Sequence, residues 1–184
     1  MEDGFPRRLV WLFVLVILVD QVTKLIAQTA LTPGLPIPII GDYVRWTLTL
    51  NPGGAFGTRI GTSNYYLISS IIIFFVLVFY VWRNRRTSHI AVPLSIVSGG
   101  AIGNIIDRLR FGEVVDFIDC DIPDIVIGSY HLERWPIFNV ADMAVSCGIV
   151  VTIFLVFYHS RKPRTTAIEP PASEPQSNSI GQDP

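Results

Sequence analysis

The sequence predicts a membrane-embedded all-α fold, with four transmembrane helices, a small extracytoplasmic β element and both termini in the cytoplasm. Three observations predict it. Half of the 184 residues are hydrophobic, only 16% are charged, and the mean hydropathy is +0.47. The apolar residues gather in long blocks, where a soluble domain would spread them with amphipathic periodicity and carry nearer a quarter charged residues. The cations are unevenly placed: eight of the 14 Lys and Arg (Arg7, Arg8, Arg83, Arg85, Arg86, Arg161, Lys162 and Arg164) flank the blocks on one side, which the positive-inside rule puts in the cytoplasm.

The first span is expected at about residues 8–29. Its apolar run from Trp11 to Val19 could open a cleaved signal peptide, but no small-x-small site follows in register and the helical pattern continues past Asp20 and Lys24. Those two charges are four apart with the acid N-terminal, so they share a helical face in the favourable ion-pair order. They are either a structural pair hidden in a bundle or part of a polar chamber, and the sequence does not separate the two.

From Leu31 to Asn64 the texture changes. Pro33, Gly34, Pro36, Pro38 and Gly41 punctuate it, and Tyr43 to Leu50 alternates like a strand, so a β element is expected at about residues 37–60. The run Asn51-Pro52-Gly53-Gly54-Ala55-Phe56-Gly57 closes it; it is either an ordinary turn or a place where backbone groups approach a bound peptide.

Tyr65 to Trp82 has no charge over 18 residues, enough to cross about 27 Å at 1.5 Å per residue. The third span, at about residues 89–106, is weaker and contains Pro93, Gly99, Gly100 and Gly103. Gly99 and Gly103 have the spacing that lets helices approach closely in lipid, which places this helix inside the bundle. The fourth span is expected at about residues 137–158. Residues 1–164 read as a single membrane domain, and the Pro-, Ser-, Gln- and Glu-rich residues 165–184 as a disordered cytoplasmic tail.

With this topology, Asp116 follows the third span and Asp142 opens the fourth, so both acids fall on one membrane face. Carboxylates near a bilayer core are costly unless they have a task or a partner. Two close carboxylates sharing a proton can hydrolyse an amide with an activated water, because like charges force their pKa values apart and the pair titrates as a unit. The spacing alone is a weak signal, since eight of the 15 acids lie between Asp107 and Asp142, among them Asp119, Asp121 and Asp124. No HExxH metal motif or G-x-S-x-G elbow competes, and of the three histidines only His131 falls on the outer side. Cys120 and Cys147 form no CxxC pair and read as free thiols. No nucleic-acid motif is present, and no metal or organic cofactor is expected.

Five ordered blocks in this sequence resemble the lipoprotein signal peptidases (signal peptidase II), bacterial inner-membrane aspartic peptidases. The blocks are Asp20-Gln21-Val22-Thr23-Lys24, Asn51 to Gly57, Gly103-Asn104-Ile105-Ile106-Asp107-Arg108, Val114-Val115-Asp116-Phe117, and Phe138-Asn139-Val140-Ala141-Asp142. The resemblance implies a four-helix bundle with an extracytoplasmic β-cradle that clamps the substrate. It implies that Asp116 and Asp142 are the catalytic aspartates, cutting a prolipoprotein just before a cysteine that carries diacylglycerol. Asn51, Gly53, Asn104, Arg108 and Asn139 would then line the site, Asp20 and Lys24 would support it from the first helix, and Asp107 would hold Arg108 or the following loop. Inhibition by the cyclic peptide globomycin, contact with membrane lipid and a monomeric state are further expectations. The segment from Ile118 to Trp135 is longer and more acidic than the family leads one to expect. Two rivals remain: a small membrane carrier, which predicts charges spread through the depth of the bundle, and a non-catalytic prolipoprotein-binding protein.

Overall fold

The computed structural model describes residues 6–53, 63–127 and 130–161. Gly54, Ala55, Phe56 and Gly57 of the glycine-rich run, Lys162, Arg164, the side chain of His131 and the tail 165–184 lie outside the described residues. Four helices are long and apolar enough to cross a membrane: α1 (Arg7–Ala30), α2 (Ser63–Arg83), α3 (Ser88–Phe111) and α4 (Val140–Ser160). They are joined to four strands, β1 (Ile37–Ile40), β2 (Val44–Asn51), β3 (Val114–Ile127) and β4 (Tyr130–Arg134), which form one antiparallel sheet in the order β1-β2-β3-β4.

α3 is the central helix and packs against α1, α2 and α4. Its most apolar window is 56% buried, against 6–17% for the other three helices. Small residues make this possible. A Cβ placed on Gly99 would come within 2.8 Å of the Phe13 carbonyl oxygen, and one on Gly100 within 2.5 Å of the Ala141 carbonyl oxygen, so α1 and α4 approach α3 at backbone distance. The outer surfaces of the other helices carry Trp11, Phe75, Phe154 and Phe157, each more than 60% exposed. So much continuous exposed apolar surface suits a lipid solvent, not water.

The boundaries depart from the sequence expectation in three places. α3 does not stop near residue 106 but runs to Phe111, because Asp107 and Arg108 are taken up by protein partners, Asp107 by Lys24 and the Val115 N–H and Arg108 by the Gly53 carbonyl, while Leu109 and Arg110 are exposed. Gly112 ends it in the left-handed region (φ 76°), its N–H bonding the Arg108 carbonyl. α4 begins at Val140 and not at residue 137: Phe138 makes a β-bridge with Ile118, and Asn139 is the N-cap. The third departure is the sheet, which is not confined to residues 37–60. β3 and β4 come from the stretch read as an acidic loop, and β3 pairs with β2 through Thr49 opposite Asp116 and Asn51 opposite Val114. The β3–β4 register shifts between Asp121 and Ile125, around Pro123, which has no N–H for the ladder.

The acids of that stretch are partly occupied in holding the sheet together. Asp119 is buried and accepts from Thr47 on β2 (3.0 Å) and from Arg134 on β4 (2.7 Å). Arg134 also donates to the Asp42 carbonyl at the β1–β2 turn (3.1 Å), tying both hairpins to one guanidinium. The sheet sits at the end of the bundle where α1 and α3 finish and α2 and α4 start. Ala27 and Leu31 of α1 pack there against Leu48, Val115 and Phe117.

Candidate active site

Gly112 turns the chain from α3 into β3 within a few residues, so Asp116 enters the sheet directly above the last turns of α3. Val115 and Phe117, its alternating neighbours, point into the apolar core beneath the sheet. Asp116 is 1% exposed. Its Oδ1 accepts from Asn139 Nδ2 (2.6 Å) and its Oδ2 from Asn51 Nδ2 (3.0 Å).

Asp142 is the third residue of α4 and closes a capping box. Its backbone N–H donates to Asn139 Oδ1 (3.0 Å), while its Oδ2 accepts from the Asn139 backbone N–H (3.2 Å). Its other oxygen, Oδ1, accepts from Asn104 Nδ2 (2.8 Å). Asn139 therefore caps α4, and its one side chain bonds both the Asp116 carboxylate and the Asp142 backbone N–H. Its Nδ2 further reaches Asn104 Oδ1 (3.1 Å) and the Val115 carbonyl (3.2 Å).

A second group lies behind this pair. Asp20, Lys24 and Asp107 are each no more than 2% exposed. Lys24 Nζ lies 2.9 Å from Asp20 Oδ2, 2.7 Å from Asp107 Oδ2 and 2.8 Å from Asn104 Oδ1, which uses all three ammonium hydrogens. Asp20 Oδ1 accepts the Ala141 N–H at the start of α4 (2.8 Å), and Asp107 Oδ2 accepts the Val115 N–H at the start of β3 (3.1 Å). The two acids thus fasten the elements that carry Asp142 and Asp116. A Cβ on Gly103 would collide with the Asp20 carboxylate, so that glycine makes the room. Among the described residues no buried side-chain nitrogen or oxygen lacks a partner.

The aspartates open on a cavity of about 360 Å³. Asn51, Asn104, Arg108, Asp116 and Asp142 supply its polar lining, and Trp135, Pro136, Ile137 and Phe138, with Met143, Val145 and Cys147 of α4, its less polar lining. Arg108 Nη2 donates to the Gly53 carbonyl (3.0 Å), and the Gly53 N–H donates to Asn51 Oδ1 (2.9 Å), which ties the end of β2 to the cavity rim. Burial, and then the charge of Asp142, push the Asp116 carboxyl up to about 7. Among the described residues no cluster of three or more His, Cys, Asp or Glu is arranged to hold a metal ion. Cys120 and Cys147 are free.

All ten residues singled out in the sequence, Asp20, Lys24, Asn51, Gly53, Asn104, Asp107, Arg108, Asp116, Asn139 and Asp142, meet in this one hydrogen-bonded region. Gln21 had no assigned role, yet its Nε2 reaches Asp20 Oδ2 (3.2 Å), the Gly103 carbonyl (3.2 Å) and Asp107 Oδ1 (3.0 Å). The signal for it was its place inside the block Asp20 to Lys24. The apolar wall of Met143 and Cys147 was also missed, since nothing marks these residues among the other apolar residues of α4.

Four membrane-crossing helices, a small sheet at one end and a cavity lined by two carboxylates and their amide donors define the class of integral membrane hydrolases. Comparison with known proteins narrows this. Residues 12–158 match the family described as signal peptidase (SPase) II. The lipoprotein signal peptidase of Desulforapulum autotrophicum is 36% identical over 162 residues, spanning 83% of this chain and 93% of that protein. The one from Pelodictyon phaeoclathratiforme is 38% identical over 149 residues, spanning 80% and 86%. A bacterial membrane enzyme solved by the in meso method at 2.3 Å resolution superposes with a TM-score of 0.76 at 31% identity, covering 90% of this chain and 96% of that one. This chain belongs to the signal peptidase II family, the lipoprotein signal peptidases, and is a peptidase that removes signal peptides from prolipoproteins.

Proposed function

We propose that the chain is an aspartic endopeptidase that cuts diacylglyceryl-modified prolipoproteins just before the lipidated cysteine, with Asp116 and Asp142 activating the attacking water. The observation that carries this is the pairing itself: two carboxyl groups at the edge of a cavity that both accept from Asn139, Asp116 from its side-chain amide and Asp142 from its backbone N–H. The ionised aspartate takes a proton from water as its oxygen attacks the scissile carbonyl carbon. The protonated one donates a hydrogen bond to the carbonyl oxygen, and the aspartate that took the proton from water passes it to the leaving amine nitrogen as the C–N bond breaks. No cofactor enters these steps.

The sheet end of the bundle is the extracytoplasmic face in this reading, and both termini are on the cytoplasmic side of a bacterial inner membrane, a placement the flanking cations support. The substrate's acyl chains remain in lipid while its backbone reaches the polar wall. Asn51, Gly53 and Arg108 hold the rim against the substrate backbone, and globomycin competes for the same cavity. One protomer holds every residue the reaction needs, so a monomer suffices. A carrier would need charges along the depth of the bundle, whereas the buried charges Asp20, Lys24, Asp107, Asp116 and Asp119 gather towards the sheet end.

The test is cleavage of a diacylglyceryl-modified prolipoprotein by purified wild type, Asp116→Asn and Asp142→Asn. Wild type should cut, and each variant should lose at least about 1,000-fold in rate while staying folded, since each retains only a neutral amide where the proton must move. Cutting that survives either substitution would assign the chemistry elsewhere. A folded wild type that binds the substrate and never cuts it would favour the binding-protein reading.

A further inference from the structure

The two aspartates look alike in their direct contacts, since each accepts two N–H donors, yet the groups behind them differ. Asn104 donates to Asp142 through Nδ2 (2.8 Å) and accepts from the Lys24 ammonium through Oδ1 (2.8 Å). Lys24 has donors only, and all three are used, on Asp20, Asp107 and Asn104. Asn104 therefore has one allowed orientation. A flip would set its NH2 against the ammonium and turn its oxygen onto the Asp142 carboxylate. Asn139 Nδ2 donates to the same Asn104 oxygen (3.1 Å), which further fixes it. The hydrogen bond from the ammonium also polarises the amide and strengthens the N–H it presents to Asp142. Asp142 meets a second favourable field from the N-terminus of α4, where it is the third residue. Asp116, on a strand, has neither: its donors Asn51 and Asn139 accept no hydrogen bond from a cation, and the Lys24 charge acts on it only through space.

We propose that Lys24 is a positioning residue that, through Asn104, makes Asp142 the proton acceptor of the pair and leaves the shared proton on Asp116. This rests on the aspartic-peptidase reading and adds the order of proton transfer to it. Water gives its proton to Asp142, and Asp116 holds the hydrogen that faces the carbonyl oxygen. The titratable groups around Asp142 are Asp20 and Lys24 from α1, Asp107 and Arg108 from α3, and Asp116 from β3, with Tyr66 from α2 beyond Arg108. Of these cations only Lys24 is linked to Asp142 by hydrogen bonds through a single side chain.

The experiment is kcat against pH for full-length wild type, Lys24→Met, Asn104→Ala and the double variant, on a diacylglyceryl-modified prolipoprotein, with Asp116→Asn and Asp142→Asn as controls. In each single variant the acid limb of the profile should move up by about one pH unit, a roughly tenfold loss on the acid side that shrinks towards alkaline pH. The double variant should match Asn104→Ala, because Lys24 acts through that residue. Asn104→Ala changes no charge and faces the open cavity, so it reads the limb even if Lys24→Met does not fold. A uniform loss at every pH, a folded Asn104→Ala inactive throughout, or additive effects would overturn the proposal. If the two aspartate controls still cut, the dyad reading falls; if they are dead and the limb does not move, only this inference falls.

Discussion

Asn139 touches Asp116 with its amide nitrogen and caps α4 with its amide oxygen, so one residue sets both the helix start and the spacing of the two carboxyl groups. Asp116 is the member whose charge the fold resists. Its carboxyl is raised from 3.8 to about 7, first by burial and then by Asp142. The folded protein then binds more proton than the unfolded chain between roughly pH 4 and 7, and stability must fall as pH rises through that window. Asp116→Asn should remove this slope. Thermal unfolding in detergent at pH 5 and pH 8 checks it: wild type should lose stability relative to the variant over that interval. Parallel pH dependence would mean that Asp116 ionises as freely in the fold as outside it. The comparison uses the slope because an asparagine at 116 would also set an NH2 against that of Asn51 or Asn139.

At the scale of elements, α1 and α3 meet where Gly103 leaves space for the Asp20 carboxylate, and that carboxylate in turn receives the first turn of α4. Gly103→Ala should therefore separate three helices at once. Overpacking of this kind costs about 1–3 kcal/mol, and the displaced Asp20 would loosen the Ala141 contact as well. The expected result is a lower unfolding temperature together with reduced cleavage. An alanine variant with wild-type stability and turnover would show that α1 can shift without cost. The glycine spacing in α3 was legible in the sequence as a close-packing signal, but its particular use, room for a buried acid, was not. Spacing states that a helix can approach; only the neighbour shows what fills the gap.

For the whole molecule, the family match ends at residue 158, and residues 165–184 contribute no block to the resemblance. A chain ending at Arg164 should cut its substrate at the wild-type rate. Loss of turnover in a well-expressed truncation would give the tail a part in catalysis. Orientation is a second whole-molecule expectation. A single cysteine at Asp124, on β3, should react with a membrane-impermeant thiol reagent applied from outside, and one at Arg86 should not, in a background with Cys120 and Cys147 replaced. The reverse pattern would invert the topology.

The amino-acid sequence by itself determined the number of spans, the crowding of α3 and the meeting of Asp116 and Asp142 at one end, because a bilayer allows few ways to arrange long apolar blocks. The blocks around Asp20, Asn104 and Asn139 also marked which polar residues accompany the pair. Only the tertiary structure decided that residues 114–127 and 130–134 form strands, since their acids hide the alternation and the partner β2 lies more than 60 residues away. It alone also decided that Lys24 serves Asn104 as well as Asp20 and Asp107, and that Asn139 caps α4. Those are matters of which donor meets which acceptor across α1, α3 and α4, and a buried polar network is defined by such long-range pairings, which no local pattern carries.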